Sequence, residues 1–336
     1  MALFLTDIVF PEDDASGVGQ IIVSYKPPEE NESKTINIPL RPNTSDLETF
    51  DVTMHGSPTS AYKMDSQYNN WFSSCFGYDV ILAYLGENLR PVLFPAVTAG
   101  PSNGSWLWDI SSNIPIIGSS KDVKEQITFA DCAPYLVVSE TSLQNVSARL
   151  PDGEEMDISK FRPNIIVEGA DSAWEEDFWG MIRLGDAEVN LLHNCLRCRS
   201  INIDYATGKP GTGEAGTVLK KLQKDRRVDT GSRYSPVFGR YGFLELKDQG
   251  KRIAVGDEAT VTKRNSERAK WDWKVAVRGS SVAACGSFGR VGIRIGAETF
   301  LHYHVAAPAL RSRTHVSAFA LVIYWHDPDG TPIAAY

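Results

Sequence analysis

Two cysteines spaced as Cys195-Leu-Arg-Cys198 carry the strongest chemical signal in this 336-residue chain. Four readings of the pair compete. A structural zinc site needs four ligands, usually a second C-x-x-C or a histidine pair at suitable spacing. Cys75, Cys132 and Cys285 stand isolated from the pair, which argues against zinc. A thioredoxin-type redox pair opens a helix, whose N-terminus lowers the thiol pKa. Here the motif falls between a strand ending near Leu192 and an alternating stretch at 200–204, which reads as another strand. The plain packing reading is two small residues buried at a strand junction. The fourth reading is a single thiolate ligand to a soft or redox-active metal centre, with Arg197 beside it for an anionic cofactor.

Other segments add groups that suit the fourth reading. Phe161-Arg-Pro-Asn164 sets Arg162 and Asn164 at the mouth of a strand, and Pro163 pre-sets an extended entry. The rigid fork of an arginine is matched to phosphate. Asp131, in Phe129-Ala-Asp-Cys132, precedes an apolar strand and could accept from amide-like N–H groups of a ligand; turn or cap residue is its commoner use. Ser235-Pro-Val-Phe-Gly-Arg-Tyr241 offers an aromatic wall and the Tyr241 phenol, or simply a Pro/Gly turn entering a core strand.

These residues need elements to position them. The patterning predicts strands at 20–25, 35–40, 80–85, 135–138, 164–167, 188–192, 200–204, 243–246 and 251–262. Helices are expected at 65–76, where Tyr68, Trp71, Phe72, Cys75 and Phe76 recur on one face before Gly77. Further helices are expected at 141–150, at 173–182 through Trp174, Phe178 and Met181, and at 216–226 as a basic amphipathic segment. Residues 96–120 are rich in Gly, Ser, Pro and Asn and read as a connector. Many short strands with few helices predict a mainly β (α+β) fold, a β-barrel with helical insertions rather than a doubly wound sheet.

Composition narrows the function classes. Apolar residues at 42% and charged residues at 23% describe an ordinary globular chain, long enough for about two domains. The net charge of -8 argues against general nucleic-acid binding, which needs clustered Lys and Arg. The longest apolar run, residues 318–325, is less than half the roughly 20 residues that span a bilayer. The N-terminus lacks a basic n-region, so no secretory signal is expected. Five cysteines, an odd count, fit a reducing compartment. The composition shifts after Trp273: residues 274–336 hold three acids and six bases, no Asn or Gln, and His302, His304, His315 and His326. The tail shows no helical or strand periodicity, and those histidine spacings match no common metal pattern.

Read in order, Tyr135-Leu-Val-Val-Ser-Glu, Phe161-Arg-Pro-Asn-Ile-Ile-Val167, Trp174-Glu-Glu-Asp-Phe-Trp179, Cys195-Leu-Arg-Cys198, Ser235-Pro-Val-Phe-Gly239 and Val255-Gly-Asp257 resemble the MOSC domain. That module is named for the C-terminal part of molybdenum-cofactor sulfurase, and the subgroup most similar is that of the mitochondrial amidoxime-reducing components. The resemblance covers about residues 109–263. Residues 1–95 resemble, more loosely, the β-rich N-terminal MOSC partner domain. Residues 96–108 form the connector, and 264–336 an atypical extension expected to fold poorly.

The resemblance implies a MOSC-type β-barrel that binds molybdenum cofactor (molybdopterin carrying molybdenum). By that likeness Cys198 is the thiolate ligand of the metal and the catalytic residue. Leu196, through its backbone, and Arg197 line the pterin. Arg162 and Asn164 hold the phosphate end, Tyr241 and Asp131 complete the cofactor contacts, and Cys195 is structural. The implied reaction is oxygen removal from N-hydroxylated small molecules, with electrons from a flavin reductase through a b-type haem cytochrome. An intracellular place, cytoplasmic or at the mitochondrial surface, follows from the same likeness. The family's earlier Y-P-I-K-S and D-R-R-W motifs are not found here, so the resemblance has the chain begin midway through the N-terminal domain. A cofactor carrier without turnover and a remnant without cofactor are the competing readings. The chain is too short for the sulfurase's pyridoxal-phosphate domain, so cysteine desulfuration is not expected.

Overall fold

The computed structural model describes residues 2–14, 17–28, 32–94, 125–248, 250–273, 319–326 and 332–335. The connector at 96–120, Cys285 and three of the four tail histidines lie outside the described residues. Strands dominate, as the patterning predicts. Three of them, β1 (Phe4–Val9), β2 (Gln20–Tyr25) and β3 (Lys34–Pro39), form an antiparallel meander. Next come the hairpin β4 (Thr49–Met54) and β5 (Ser57–Lys63), helix α1 (Ser66–Phe76) and β6 (Val80–Tyr84). Gly77 ends α1 in the left-handed conformation, its N–H donating to the Ser73 carbonyl, as its position in the sequence suggests. Tyr68 and Phe72 of α1 pack with Val80 and Leu82 of β6 and with Ile21 and Ile38 of the meander.

Two tail segments join this unit. β15 (Phe319–His326) pairs antiparallel with β6, placing Phe319 opposite Tyr84, and β16 (Pro332–Ala335) pairs with β15. The five-stranded order is β16-β15-β6-β5-β4. The continuous apolar run at 318–325 carries no period-two signal, so this strand was not legible as one.

The second unit is a six-stranded sheet, in the order β10 (Ile165–Val167), β9 (Tyr135–Ser139), β13 (Val237–Leu244), β12 (Ala187–Leu196), β11 (Trp179–Leu184) and β14 (Ala259–Arg264), curled into a half-barrel. A short pair, β7 (Arg90–Pro91) with β8 (Gln126–Ile127), links the two units. β9 pairs in parallel with β10 and antiparallel with β13. Between them run α2 (Glu140–Ser147) and a 3-10 turn, Ile158–Phe161. β12 is central, flanked by β11 and β13, and seven of its ten residues are buried. The strand expected at 188–192 thus buries apolar Val189 and Leu191 together with polar Asn190, His193 and Asn194.

Five expected elements differ. The strand expected at 243–246 starts earlier, at Val237, and ends at Leu244, with Leu246–Asp248 forming a 3-10 turn. Of the strand expected at 251–262 only the part from Ala259 onward forms. The helix expected at 173–182 is a 3-10 turn, Glu175–Phe178, running into β11. Trp174, Phe178 and Met181 mimic helical spacing, but Trp174 has φ of 72° and β11 gains ladders to both β12 and β14. Tertiary pairing overrides the local pattern. The strand expected at 200–204 is a 3-10 turn, Arg199–Asn202, whose Ile201 is buried and whose Asn202 side chain accepts from the Leu219 N–H at 3.0 Å. The basic helix shrinks to α3 (Val218–Leu222), because Arg226 leaves it to pair its carbonyl with the Val237 N–H that starts β13.

Candidate functional site

β12 delivers the two cysteines to opposite environments. Cys195 sits inside the main core with Phe161, Ile201, Phe238 and Tyr241. Burial pushes its thiol above the ordinary range, against the pull of Arg197. Leu196 ends the strand, paired with Val237 of β13. Cys198 follows in an extended conformation and is exposed, its Sγ 3.2 Å from Ser200 Oγ.

Arg197, between them, turns inward. It is 8% exposed and donates from Nε and Nη2 to the Phe238 carbonyl at 2.8 and 2.6 Å, and from Nη1 to the Phe161 carbonyl at 2.7 Å. Its guanidinium also lies over the rings of Phe161 and Phe238. The arginine expected beside an anionic ligand thus bolts the cysteine turn to β13 and to the Phe161 turn. Those two 3-10 turns pack directly against each other.

Arg162 follows at once, with φ of 52° and ψ of 48° closing the 3-10 turn. It lies within electrostatic reach of Asp131, Cys195 and Tyr205. Asn164 is exposed and mimics a strand residue. Its backbone N–H donates to the Leu136 carbonyl at 2.9 Å, and its Oδ1 accepts from the Leu136 N–H at 2.7 Å. This fixes the side chain and leaves Nδ2 to donate.

Asp131 and Tyr241 meet across the sheet, the phenol donating to Oδ2 at 2.6 Å. A residue absent from the sequence reasoning completes this group. His55 Nε2 lies 2.5 Å from Asp131 Oδ1. Burial would raise the Asp131 pKa, but His55, Arg162 and Tyr241 together hold the carboxyl well below the usual carboxylate range. The Met54-His-Gly-Ser57 turn between two strand-like segments is a hairpin signal, yet nothing in it names a partner 76 positions away.

Among the described residues, no three His, Cys, Asp or Glu side chains cluster as a metal site built from protein alone would require. What the site presents is one exposed soft sulfur donor, a neighbouring arginine, an amide donor and an ionised carboxylate. That donor set fits a soft metal carried on an anionic organic group, with the thiolate as the protein ligand.

Residues 124–260 match the model of the MOSC domain. This part of the chain is a MOSC domain. Cys198, Arg162, Asn164, Leu196, Arg197, Tyr241 and Asp131 all fall inside it, and the curled sheet agrees with a MOSC β-barrel. The chain is 35% identical to mitochondrial amidoxime-reducing component 1 of Homo sapiens over 138 residues, 40% of this chain and 38% of that protein. It is 34% identical to mitochondrial amidoxime reducing component 2 of Bos taurus over 127 residues, 38% of this chain and 37% of that one. Molybdenum cofactor sulfurase of Oryza sativa subsp. japonica matches at 23% over 182 residues, 52% of this chain and 20% of the sulfurase. The matches to the amidoxime-reducing components thus span under two-fifths of the relatives' own length. Among the described residues no helix is long and apolar enough to cross a membrane. His55 lies outside the MOSC match.

Proposed function

We propose that the MOSC domain binds molybdenum cofactor through the Cys198 thiolate and that the protein reduces N-hydroxylated small molecules. The observation that carries this reading is the exposed Cys198 thiol, placed at the end of β12 beside the Phe161-Arg-Pro-Asn164 turn. Molybdenum-related function is supported by the relatives' names; the substrate and the electron donors are our extension of them.

Cys198 supplies the soft ligand. Arg162 supplies fixed positive charge and Asn164 an oriented N–H donor for the phosphate end. Asp131, held by Tyr241, accepts an N–H from the pterin. Leu196 contributes strand geometry. Arg197, committed to two carbonyls, acts by holding the turn rather than by touching the ligand. When bound, the cofactor would supply two-electron oxygen-atom chemistry, while these side chains bind and orient it. Electrons would come from a flavin reductase through a b-type haem cytochrome, in the cytoplasm or at the mitochondrial surface.

A second reading is a module that holds the cofactor without turnover; the sulfurase match, over 52% of this chain, supports a molybdenum-cofactor role without naming amidoxime reduction. One experiment separates them. The chain is purified from a host that makes the cofactor, beside Cys198→Ala, and molybdenum is measured by mass spectrometry. Stoichiometric metal lost in the alanine variant, with reduction of an amidoxime by a reduced viologen, is the expected result. Metal without reduction selects the carrier. A folded parent without molybdenum overturns both.

A further inference from the structure

The MOSC match excludes the N-terminal sheets, yet one of them reaches the site. His55 and Gly56 are the two central residues of the β4–β5 hairpin, with φ of 50° and 79°. Positive φ at both central positions is the type I′ hairpin turn, and histidine is among the few side chains that accept it.

The tip is pinned from several directions. Trp273 Nε1 donates to the His55 carbonyl at 2.8 Å, and Ser57 Oγ to the Pro91 carbonyl at 2.6 Å. Fully buried Arg90 donates to the carbonyls of Thr128, Ala130 and Asp131, with the Met54 carbonyl at 3.5 Å. One guanidinium therefore ties the end of β4 to the backbone of Asp131.

An exposed ion pair usually contributes little, because two mobile side chains must be ordered. This pair differs. Both backbones are fixed by core groups, and the carboxylate's second oxygen already binds the buried Tyr241 phenol. Outer partners held in this way set the orientation of the groups that touch a ligand.

We propose that His55 is a positioning residue of the cofactor site: the N-terminal hairpin supplies the N–H donor that aligns the Asp131 carboxylate against Tyr241. The inference rests on the cofactor reading above. It makes the docking of hairpin and MOSC domain part of the site.

The test uses the full chain from the cofactor-making host. His55→Asn keeps a side chain tolerant of positive φ but too short for Asp131, and His55→Gln keeps a longer N–H donor. Each is compared with Asp131→Asn and with the His55→Asn/Asp131→Asn double variant. Molybdenum retained after gel filtration and the Tm of each protein are recorded. The expected result is about tenfold weaker retention in folded His55→Asn, substantial recovery in His55→Gln, and a double variant no worse than Asp131→Asn alone. Parent-level molybdenum in His55→Asn, or additive losses in the double variant, would overturn the assignment while leaving the cofactor reading intact. A metal-free parent overturns both, and is seen before any variant is compared.

Discussion

Arg197 grips the carbonyl oxygen of Phe238 with two of its N–H groups, and this contact decides which cysteine meets water. The arginine is drawn inward between the Phe161 and Phe238 rings, so the chain turns there. Cys195 stays in the core and Cys198 emerges. Arg197→Ala strips the partners from two inward-facing carbonyls and empties a packed slot, at a cost of about 3 kcal/mol. Urea denaturation of the two proteins measures it, and equal midpoints would refute the clamp.

The same geometry ranks the thiols. Cys198 is exposed, Cys75 half-buried, and Cys132 and Cys195 buried. Among the four described thiols, a thiol reagent on the native metal-free protein should modify Cys198 before Cys75, with Cys132 and Cys195 reacting only on unfolding. Mass mapping of the first adduct checks this. First modification at Cys195 would place the strand end wrongly.

Two buried titrating groups pull stability in opposite directions with pH. Glu176 is fully buried, with Oε2 accepting from Ser142 at 2.7 Å; burial raises its pKa to about 7. The folded state then binds more protons than the unfolded chain above the normal value of 4.5, so stability falls as pH rises from there to about 7. His193, stacked on Phe94 with centroids 3.6 Å apart, is lowered by burial to about 4. Its contribution is present above 6.5 and is lost as pH falls toward 4. Each amounts to about 3 kcal/mol and they oppose each other between 4.5 and 6.5. Glu176→Gln should therefore lose Tm on acidification across that window more steeply than the parent, and His193→Phe should gain Tm. Parallel curves for all three proteins would contradict the assignment.

Gly239 marks a tight crossing in the sheet. Its φ is 88°, and a Cβ there would lie 2.8 Å from Val138 Cγ1 and 2.9 Å from the Val137 carbonyl. Backbone on one side leaves little room to relax. Gly239→Ala should cost about 2 kcal/mol, read as a lowered Tm. A neutral substitution would show that β13 can shift on β9.

Local chemistry carried much of this fold into view. β2 spans the expected residues 20–25, and α1 stops at Gly77, because strand-forming residue types and a left-handed cap act through neighbours in the chain. Residues 173–182 failed for the converse reason. Their spacing suits a helix, but the ladders that β11 makes to β12 and β14 come from segments elsewhere in the chain.

The site divides in the same way. By itself the sequence determined the chemical inventory: a thiol pair at a strand end, Arg162 and Asn164 in one short turn, Asp131 before a strand, and Tyr241 closing the Ser235-Pro-Val-Phe-Gly-Arg-Tyr motif. Residue type and short-range spacing suffice for that. Only the tertiary structure decided that Arg197 faces the core, that Asp131 meets Tyr241 110 positions away, and that His55 arrives from another sheet to hold them. Those contacts depend on how curled sheets dock and which carbonyls are left needing donors. Side-chain periodicity along one strand contains neither.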